Sequence, residues 1–243
     1  MAALATPTKM IALEPVDAAR HSARRIGLLG GSFNPAHRGH RAISLFALEA
    51  LGLDEVWWLV SPGNPLKDAS DMAPLVARLG SARAMADGAP IRASVVEVEL
   101  GTRYTIDTLR LLVRRYPRHR FIWLMGSDNL VQFAQWKDWR GIARTMPIAV
   151  VARPGYDGLA VASPAMAWLR RFVHPVSQAQ QWTQWRLPAL VPLRFRPDPR
   201  SATLLRQSDP DWHLRFDRRN VRDALTRAMI EPSSYPPVSK EQL

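Results

Sequence analysis

Two histidines, His37 and His40, stand three residues apart in GGSFNPAHRGH, residues 30–40, just after two glycines and just ahead of a helical pattern. Glycine at a strand end lets a ligand approach the backbone closely. The helix that follows offers unpaired N–H groups and the positive end of a dipole. Imidazoles at this spacing share one face of its first turn, and each can donate a ring N–H to the same anion. That constellation suits a polyphosphate. It is neither a G-x-x-x-x-G-K-[ST] loop nor a G-x-G-x-x-G turn. Two other readings stay open at this point. The pair could be half of a metal site, which needs a third ligand, or two ordinary surface residues beside a turn.

Other polar residues fall where apolar runs end. Asp128 and Gly126 close FIWLMGSD: the carboxylate can accept ribose hydroxyls and the glycine admits a nucleoside. Asp128 could equally be an ordinary loop or cap residue. Residues 61–67 and 153–156 also follow apolar runs. Ligands of an open α/β sheet bind outside the carboxyl ends of the strands, so these segments form one site if they share that edge. Near the other end, SATLLR at 201–206 offers Ser201, Thr203 and Arg206 at a helix start. By itself this is an N-cap on an amphipathic helix.

The elements that must position these groups alternate. IGLLGG reads as a buried strand, and HRGHRAISLFALEALGL as a helix with Ile43, Phe46, Ala47, Ala50 and Leu51 on one face and Gly52 as its stop. EVWWLV is a second strand, giving strand–helix–strand, the signature of a parallel sheet. MAPLVARLGSARAMAD reads as helix and IRASVVEVEL as strand. YTIDTLRLLVRRYP reads as a helix with Ile106, Leu109 and Val113 on one face, closed by Pro117. RFIWLMGSD is a strand, FAQWKDWRGIARTM a short helix, and PIAVVARPGY a strand. SPAMAWLRRFVHPV is helical, SQAQQWTQWRLPA is ambiguous, LVPLRFRP is a last strand, and SATLLR opens a final helix. Trp57, Trp58 and Trp123 read as packing and Trp139 as core. The expected fold is α/β, a doubly wound parallel sheet in a single domain.

The chain has 243 residues, 47% of them hydrophobic, enough for one full core. Residues 1–24 read as a flexible leader without a secretory h-region, 25–230 as the domain, and 231–243, rich in Pro and Ser, as a disordered tail. No apolar run spans a bilayer. The absence of cysteine excludes disulfides, thiolate catalysis and Cys-ligated metals, and makes the cytoplasm the default location. The net charge of +12 suggests an anionic partner, but single and paired arginines spread along the chain also fit an Arg-rich solvated surface. No motif fixes whether the chain forms a homo-oligomer.

GGSFNPAHRGH resembles the G-G-x-F-D-P-x-H-x-G-H signature of the His-x-x-His nucleotidyltransferases, and SATLLR resembles their second motif, I-S-S-T-x-x-R or I-S-A-T-x-x-R. RYTIDTL, MGSDNLVQFAQWKDW and VVARPGY are similar to segments of bacterial nicotinate-nucleotide adenylyltransferases. The resemblance runs from about residue 26 to 206. Asn34 replaces the usual Asp, Arg200 stands where an apolar residue is common, and SPGNPLK is shorter than the corresponding family loop.

The resemblance implies a Rossmann-like nucleotidyltransferase fold. It implies adenylyl transfer from ATP to nicotinate mononucleotide, with Mg2+ arriving on ATP and no metal site of the protein's own. His37 and His40 would be catalytic, binding the phosphates of ATP. Gly30, Gly31, Ser32 and Phe33 would shape the backbone cradle. Gly126, Asp128, Ser201, Thr203 and Arg206 would complete the ATP site, and Lys67, Tyr104, Thr105 and Trp136 the mononucleotide site, Trp136 stacking on the pyridine. A helix N-cap is the bland role for Thr105.

Two alternatives remain. One is transfer to another phosphorylated molecule, nicotinamide mononucleotide or phosphopantetheine, or cytidylyl transfer. The other is a basic nucleic-acid-binding module, whose steeply salt-dependent binding would survive loss of His37 and His40. The resemblance favours small-molecule substrates, with neither nucleic acid nor membrane as partner.

Overall fold

The computed structural model describes residues 23–63, 72–152, 157–195, 202–217 and 219–232. Lys67, Ser201 and residues 153–156 lie outside them, as do nearly all of the expected leader and tail.

Six parallel strands form the sheet: β1 (Arg25–Gly31), β2 (Glu55–Val60), β3 (Ile91–Ser94), β4 (Arg120–Gly126), β5 (Ile148–Val151) and β6 (Leu190–Leu193). Their order is β3-β2-β1-β4-β5-β6. The chain winds outward from β1 and then crosses to β4 on its other side. The crevice at the carboxyl ends of β1 and β4 is therefore the topological switch point, where such sheets bind ligands.

Both faces of the sheet are covered, which is why its strands are continuous apolar runs. All of β2 is buried; Trp58 packs into one core and Trp57 into the opposite one. Helices α1 (Arg38–Leu51) and α2 (Leu75–Ala86) cover the first face. Helices α4 (Thr105–Arg115) and α6 (Trp139–Thr145) cover the second. In α1 the expected stripe is present: Ala47 and Leu51 are buried, and Ile43, Phe46 and Ala50 pack partly buried against the same core. The helix ends at Gly52, whose φ of +59° is a left-handed cap that a side chain would strain.

Three expectations change. In α4 the third buried apolar residue is Leu112, while Val113 is 38% exposed. The face that Ile106 and Leu109 define continues three residues on, at Leu112, and leaves Val113 at its edge. IRASVVEVEL is strand only to Ser94 and then turns into the short α3 (Val96–Glu99). Ser94 Oγ accepts Val96 N at 3.1 Å and Asp223 Oδ2 accepts Val95 N at 2.7 Å. Side chains thus take the N–H groups that a longer strand would have offered to a neighbour. FAQWKDWRGIARTM is two pieces. A 3-10 turn, Phe133–Gln135, follows α5 (Ser127–Gln132), and α6 starts only after Asp138, whose φ is +44° and whose Oδ1 accepts Gly141 N at 3.1 Å.

Beyond β5 come α7 (Asp157–Val161) and α8 (Pro164–Leu169). The ambiguous segment is a 3-10 helix, Val176–Gln184, tied to the end of α1 by Trp182 Nε1 donating to Leu51 O at 2.9 Å. SATLLR does open a helix, α9 (Ala202–Ser208). A small antiparallel pair, β7 (Val221–Arg222) with β8 (Met229–Ile230), follows. Among the described residues no helix is long and apolar enough to cross a membrane.

Candidate active site

His37 is the N-cap of α1 and His40 its third residue. Gly39 N donates to His37 Nδ1 at 3.1 Å, and His37 N donates to His40 Nδ1 at 3.2 Å. This is a capping box built from imidazoles instead of Ser and Glu. It has a chemical consequence. A ring nitrogen that accepts a hydrogen bond carries no proton, so each neutral ring keeps its proton on Nε2. Nε2 is then a fixed donor, and the ring centroids lie only 3.8 Å apart. The first turn of α1 holds no acidic residue, so nothing on that turn opposes an anion there.

Packing holds the pair. The Phe33 ring lies 4.7 Å from that of His40 and stacks on Trp58 at 5.0 Å. Trp58 Nε1 donates to Ser44 Oγ at 2.8 Å, and Ser44 Oγ donates to His40 O at 2.9 Å. The metal reading of the histidines loses support. Both Nδ1 atoms accept from the backbone, which leaves the proton of each neutral ring on Nε2, where a metal would need a lone pair.

The glycines differ from the sequence expectation. A Cβ on Gly30 would stand 2.6 Å from Trp123 Cη2, and one on Gly31 would stand 3.3 Å from the Phe33 ring. The room they leave is used by the protein's own aromatic rings, so their first task is packing the turn. Phe33 is likewise more than backbone: its ring is buried and its φ is +47°. A non-glycine residue there costs about 1–3 kcal/mol, which burial of the ring offsets. A Cβ on Gly126 would stand 2.3 Å from Asp128 Oδ1, so this glycine makes room for the half-buried carboxylate in the first turn of α5.

The two motifs meet. Arg206 Nη1, on α9, donates to Asn34 O at 2.8 Å, in the turn that leads to His37. Asn34 Oδ1 accepts Ala73 N at 3.2 Å, an acceptor role open to an aspartate as well. Thr203 is exposed on α9.

The second half of the site is assembled from α4 and the segment after α5. Tyr104 is the N-cap residue of α4 but makes no side-chain cap, and Thr105 is the first helical residue, so the expected N-cap role of Thr105 does not hold. Lys137 Nζ lies 4.3 Å from the centre of the Tyr104 ring and 3.1 Å from Asp107 Oδ2. Arg110 pairs with Asp138 at 2.8 Å. These exposed pairs add little stability, but they set 104–105 beside 136–138. Trp136 is half-buried, edge-on to Phe133 at 5.4 Å and to Trp123 at 6.4 Å. Trp139 is core, as expected.

Arg78 and Glu97, beside the turns of the site, are buried charged residues that no spacing in the sequence singles out. Arg78, 2% exposed on α2, donates to four carbonyls: Ala73 O at 2.9 Å, Ser32 O at 2.9 Å, Ser61 O at 2.5 Å and Pro62 O at 3.0 Å. It thereby fastens the turns after β1 and β2 to the start of α2. Burial lowers its guanidinium to about 10, so it stays charged at neutral pH. Glu97, on α3, is buried beside Ser61 and Thr108. Burial raises its carboxyl to about 7, against the opposing pull of those two hydroxyls.

A carboxyl whose folded pKa is raised binds its proton more tightly in the folded state. Stability therefore falls as pH rises from the unfolded value of 4.5 through the folded value of about 7. The cost at pH 8 is about 3 kcal/mol. Denaturant titrations at pH 5 and 8 should show this loss in the wild type and a much smaller one in Glu97→Gln.

The cytidylyltransferase-like family model matches residues 28–208. That span takes in both motifs, and fold and match together define a nucleotidyltransferase. A relative from Erythrobacter litoralis, described as a probable nicotinate-nucleotide adenylyltransferase, is 61% identical over 213 residues, which is 88% of this chain and 97% of the relative. One from Parvibaculum lavamentivorans, under the same description, is 49% identical over 79% of this chain and 94% of its own length. The chain belongs to the nicotinate-nucleotide adenylyltransferase family. The solved Plasmodium falciparum nicotinic acid mononucleotide adenylyltransferase complexed with NaAD shares the fold at a TM-score of 0.57 and 13% identity, over 76% of this chain and 83% of that one.

Proposed function

We infer that the chain transfers the adenylyl group of ATP to nicotinate mononucleotide, giving nicotinate adenine dinucleotide and pyrophosphate, a step of NAD biosynthesis. The carrying observation is the pair of imidazoles that cap α1, with Nδ1 turned to the backbone, at the switch point of this sheet. Close relatives whose description names this activity support it.

The attacking group is a phosphate monoester. Its second pKa is about 6, so at neutral pH it is already largely a dianion. One of its oxygens attacks the α-phosphorus of ATP in line, and the bond from that phosphorus to the α,β-bridging oxygen breaks, that oxygen leaving as a terminal oxygen of pyrophosphate. No general base or protein nucleophile is needed. The protein's work is to align the two phosphates and to stabilise charge on the leaving group.

The Nε2–H groups of His37 and His40, with the N–H groups of the α1 terminus, supply that stabilisation. Gly30, Gly31, Ser32 and Phe33 form the turn that aims them. Ser201, Thr203 and Arg206 meet the far phosphates, and Arg206 also ties the two motifs together. Asp128, for which Gly126 makes room, accepts the ribose hydroxyls of ATP. Mg2+ would come with ATP and would neutralise phosphate charge there, so no residue of the chain is assigned to hold it. Tyr104, Thr105, Trp136 and Lys67 bind the mononucleotide. A cysteine-free chain using these substrates fits the cytoplasm.

Pyrophosphate release should be fastest with ATP and nicotinate mononucleotide, ahead of nicotinamide mononucleotide and phosphopantetheine. Preference for either competitor would move the assignment to that substrate. Trp136→Ala should raise KM for the mononucleotide by about tenfold or more, from a stacking loss of about 1–3 kcal/mol. KM for ATP should hardly move, because ATP does not meet that ring. Equal increases in both would remove Trp136 from the pyridine site.

A further inference from the structure

Trp123, on β4, is 3% exposed, and its Nε1 is buried with no hydrogen-bond partner among the described residues. Three other tryptophans buried as deeply spend theirs. Trp57 Nε1 donates to Glu55 Oε2 at 3.0 Å, Trp58 Nε1 to Ser44 Oγ at 2.8 Å and Trp182 Nε1 to Leu51 O at 2.9 Å. A buried indole N–H ordinarily finds an acceptor, and one that does not has given up its hydration with nothing in return. The Trp123 donor therefore calls for an acceptor from outside the described part of the chain.

The direction of the ring shows where that acceptor stands. Trp123 pairs level with Leu28 of β1, yet its Cη2 comes to 2.6 Å from the place of a Cβ on Gly30, two residues nearer the carboxyl end. The ring thus leans along the strand to the edge where ligands of such sheets bind. Cζ2 lies 3.1 Å from the same point and Cζ3 3.6 Å. Cζ2 and Nε1 share one long edge of an indole, so the edge that bears the N–H is the one turned towards the end of β1. Trp136, read as the platform for the pyridine, stands edge-on to this ring at 6.4 Å.

We propose that Trp123 is a specificity-determining residue for the mononucleotide, its indole N–H donating to the pyridine carboxylate of the substrate held on Trp136. This rests on the reading that the substrate is nicotinate mononucleotide and that Trp136 stacks on its ring.

The donor suits a carboxylate better than a carboxamide. An indole nitrogen donates and does not accept. A carboxylate offers acceptors in either orientation of the group, and its charge roughly doubles the strength of such a bond. A carboxamide offers one neutral acceptor, and its NH2 group turned to the same place sets donor against donor. Two cations of this half of the site are already paired, Lys137 with Asp107 and Arg110 with Asp138. A neutral donor buried under aromatic rings then reads the acid without a charged partner.

The test joins kinetics to spectra. Wild type and Trp123→Phe are compared with nicotinate and nicotinamide mononucleotide, each with ATP. Phenylalanine keeps a ring beside Gly30 and has no N–H. The preference for the acid in kcat/KM should fall about tenfold in the variant, through a higher KM for the acid, while KM for ATP stays in place. The chain has nine tryptophans, so the indole N–H signal missing from the proton–nitrogen spectrum of Trp123→Phe identifies that of Trp123. In the wild type this signal should move downfield when nicotinate mononucleotide is added and stay put with ATP alone. A ring that only packs would lower Tm on substitution and leave both the preference and the signal unmoved. An unchanged preference in Trp123→Phe, or a signal indifferent to nicotinate mononucleotide, would overturn the proposal. A wild type that turns over neither mononucleotide, or prefers the amide, would instead overturn the functional reading, and the role of Trp123 with it.

Discussion

His40→Ala lowers kcat by about a hundredfold to a thousandfold while KM for ATP changes much less. The loss is that of one preorganised donor aimed at developing charge, about 3–4 kcal/mol of barrier. It falls on kcat because the Nε2–H group meets more charge in the transition state, as pyrophosphate departs, than in bound ATP. The substitution also removes the acceptor of His37 N, a cap contribution of about 1 kcal/mol, so the protein should fold but melt slightly earlier. His40→Asn separates the two effects. Its side-chain oxygen can serve the cap while its donor sits elsewhere, so Tm should recover more than kcat does. Stopped or steady-state assays of pyrophosphate release check this. A kcat for His40→Ala within about threefold of the wild type would remove His40 from the phosphate site, since the expected barrier change is far larger.

Arg78→Met lowers Tm by about 10 °C. The guanidinium is surrounded by the carbonyls of Ala73, Ser32, Ser61 and Pro62, and methionine fills much of the volume but donates nothing. A buried acceptor left unsatisfied costs about 1–3 kcal/mol. Even with partial relaxation the sum passes about 3 kcal/mol, and each kcal/mol moves Tm by about 2–4 °C in a chain of this size. Activity should fall as well, because Ser32 belongs to the turn that aims His37 and Ser61 stands just ahead of the segment of sequence that includes Lys67. Arg78→Lys should recover only part of the stability, since one ammonium cannot reach four carbonyls in a planar fork. Thermal melts of the two variants decide the matter. A Tm for Arg78→Met within a few degrees of the wild type would mean that water replaces the guanidinium and that the turns hold without it.

The parts of this protein legible in its sequence are those governed by local spacing. The apolar stripe of α1, its glycine stop and the strand–helix alternation require only neighbours along the chain, and the structure has them. The His37–His40 pair was visible because both residues sit in one helical turn. The joining of SATLLR to that turn was not derivable from spacing, since Arg206 reaches Asn34 only after the whole sheet is wound. What was misread depends on distant partners. Gly30 looks like room for a ligand, yet Trp123, three strands on in sequence, occupies the space that a side chain there would take. VVEVEL alternates like a strand, but Asp223, far along the chain, takes Val95 N and helps turn it aside. Arg78 looked like one more surface arginine, because nothing near it in sequence reveals that three separate turns deliver carbonyls to it. A charged residue directly between the apolar positions Leu75, Val76 and Leu79 is the only local hint. Glu97 carried the same hint among valines.

Transfer of label from ATP marked at the α-phosphorus tests the account most directly. Incubated with nicotinate mononucleotide and the protein, the label should appear in nicotinate adenine dinucleotide, with one pyrophosphate released per dinucleotide and none of the label bound to the chain after denaturation. Label retained covalently on the protein, or no labelled dinucleotide, would contradict direct in-line transfer between two substrates held by the imidazole-capped helix.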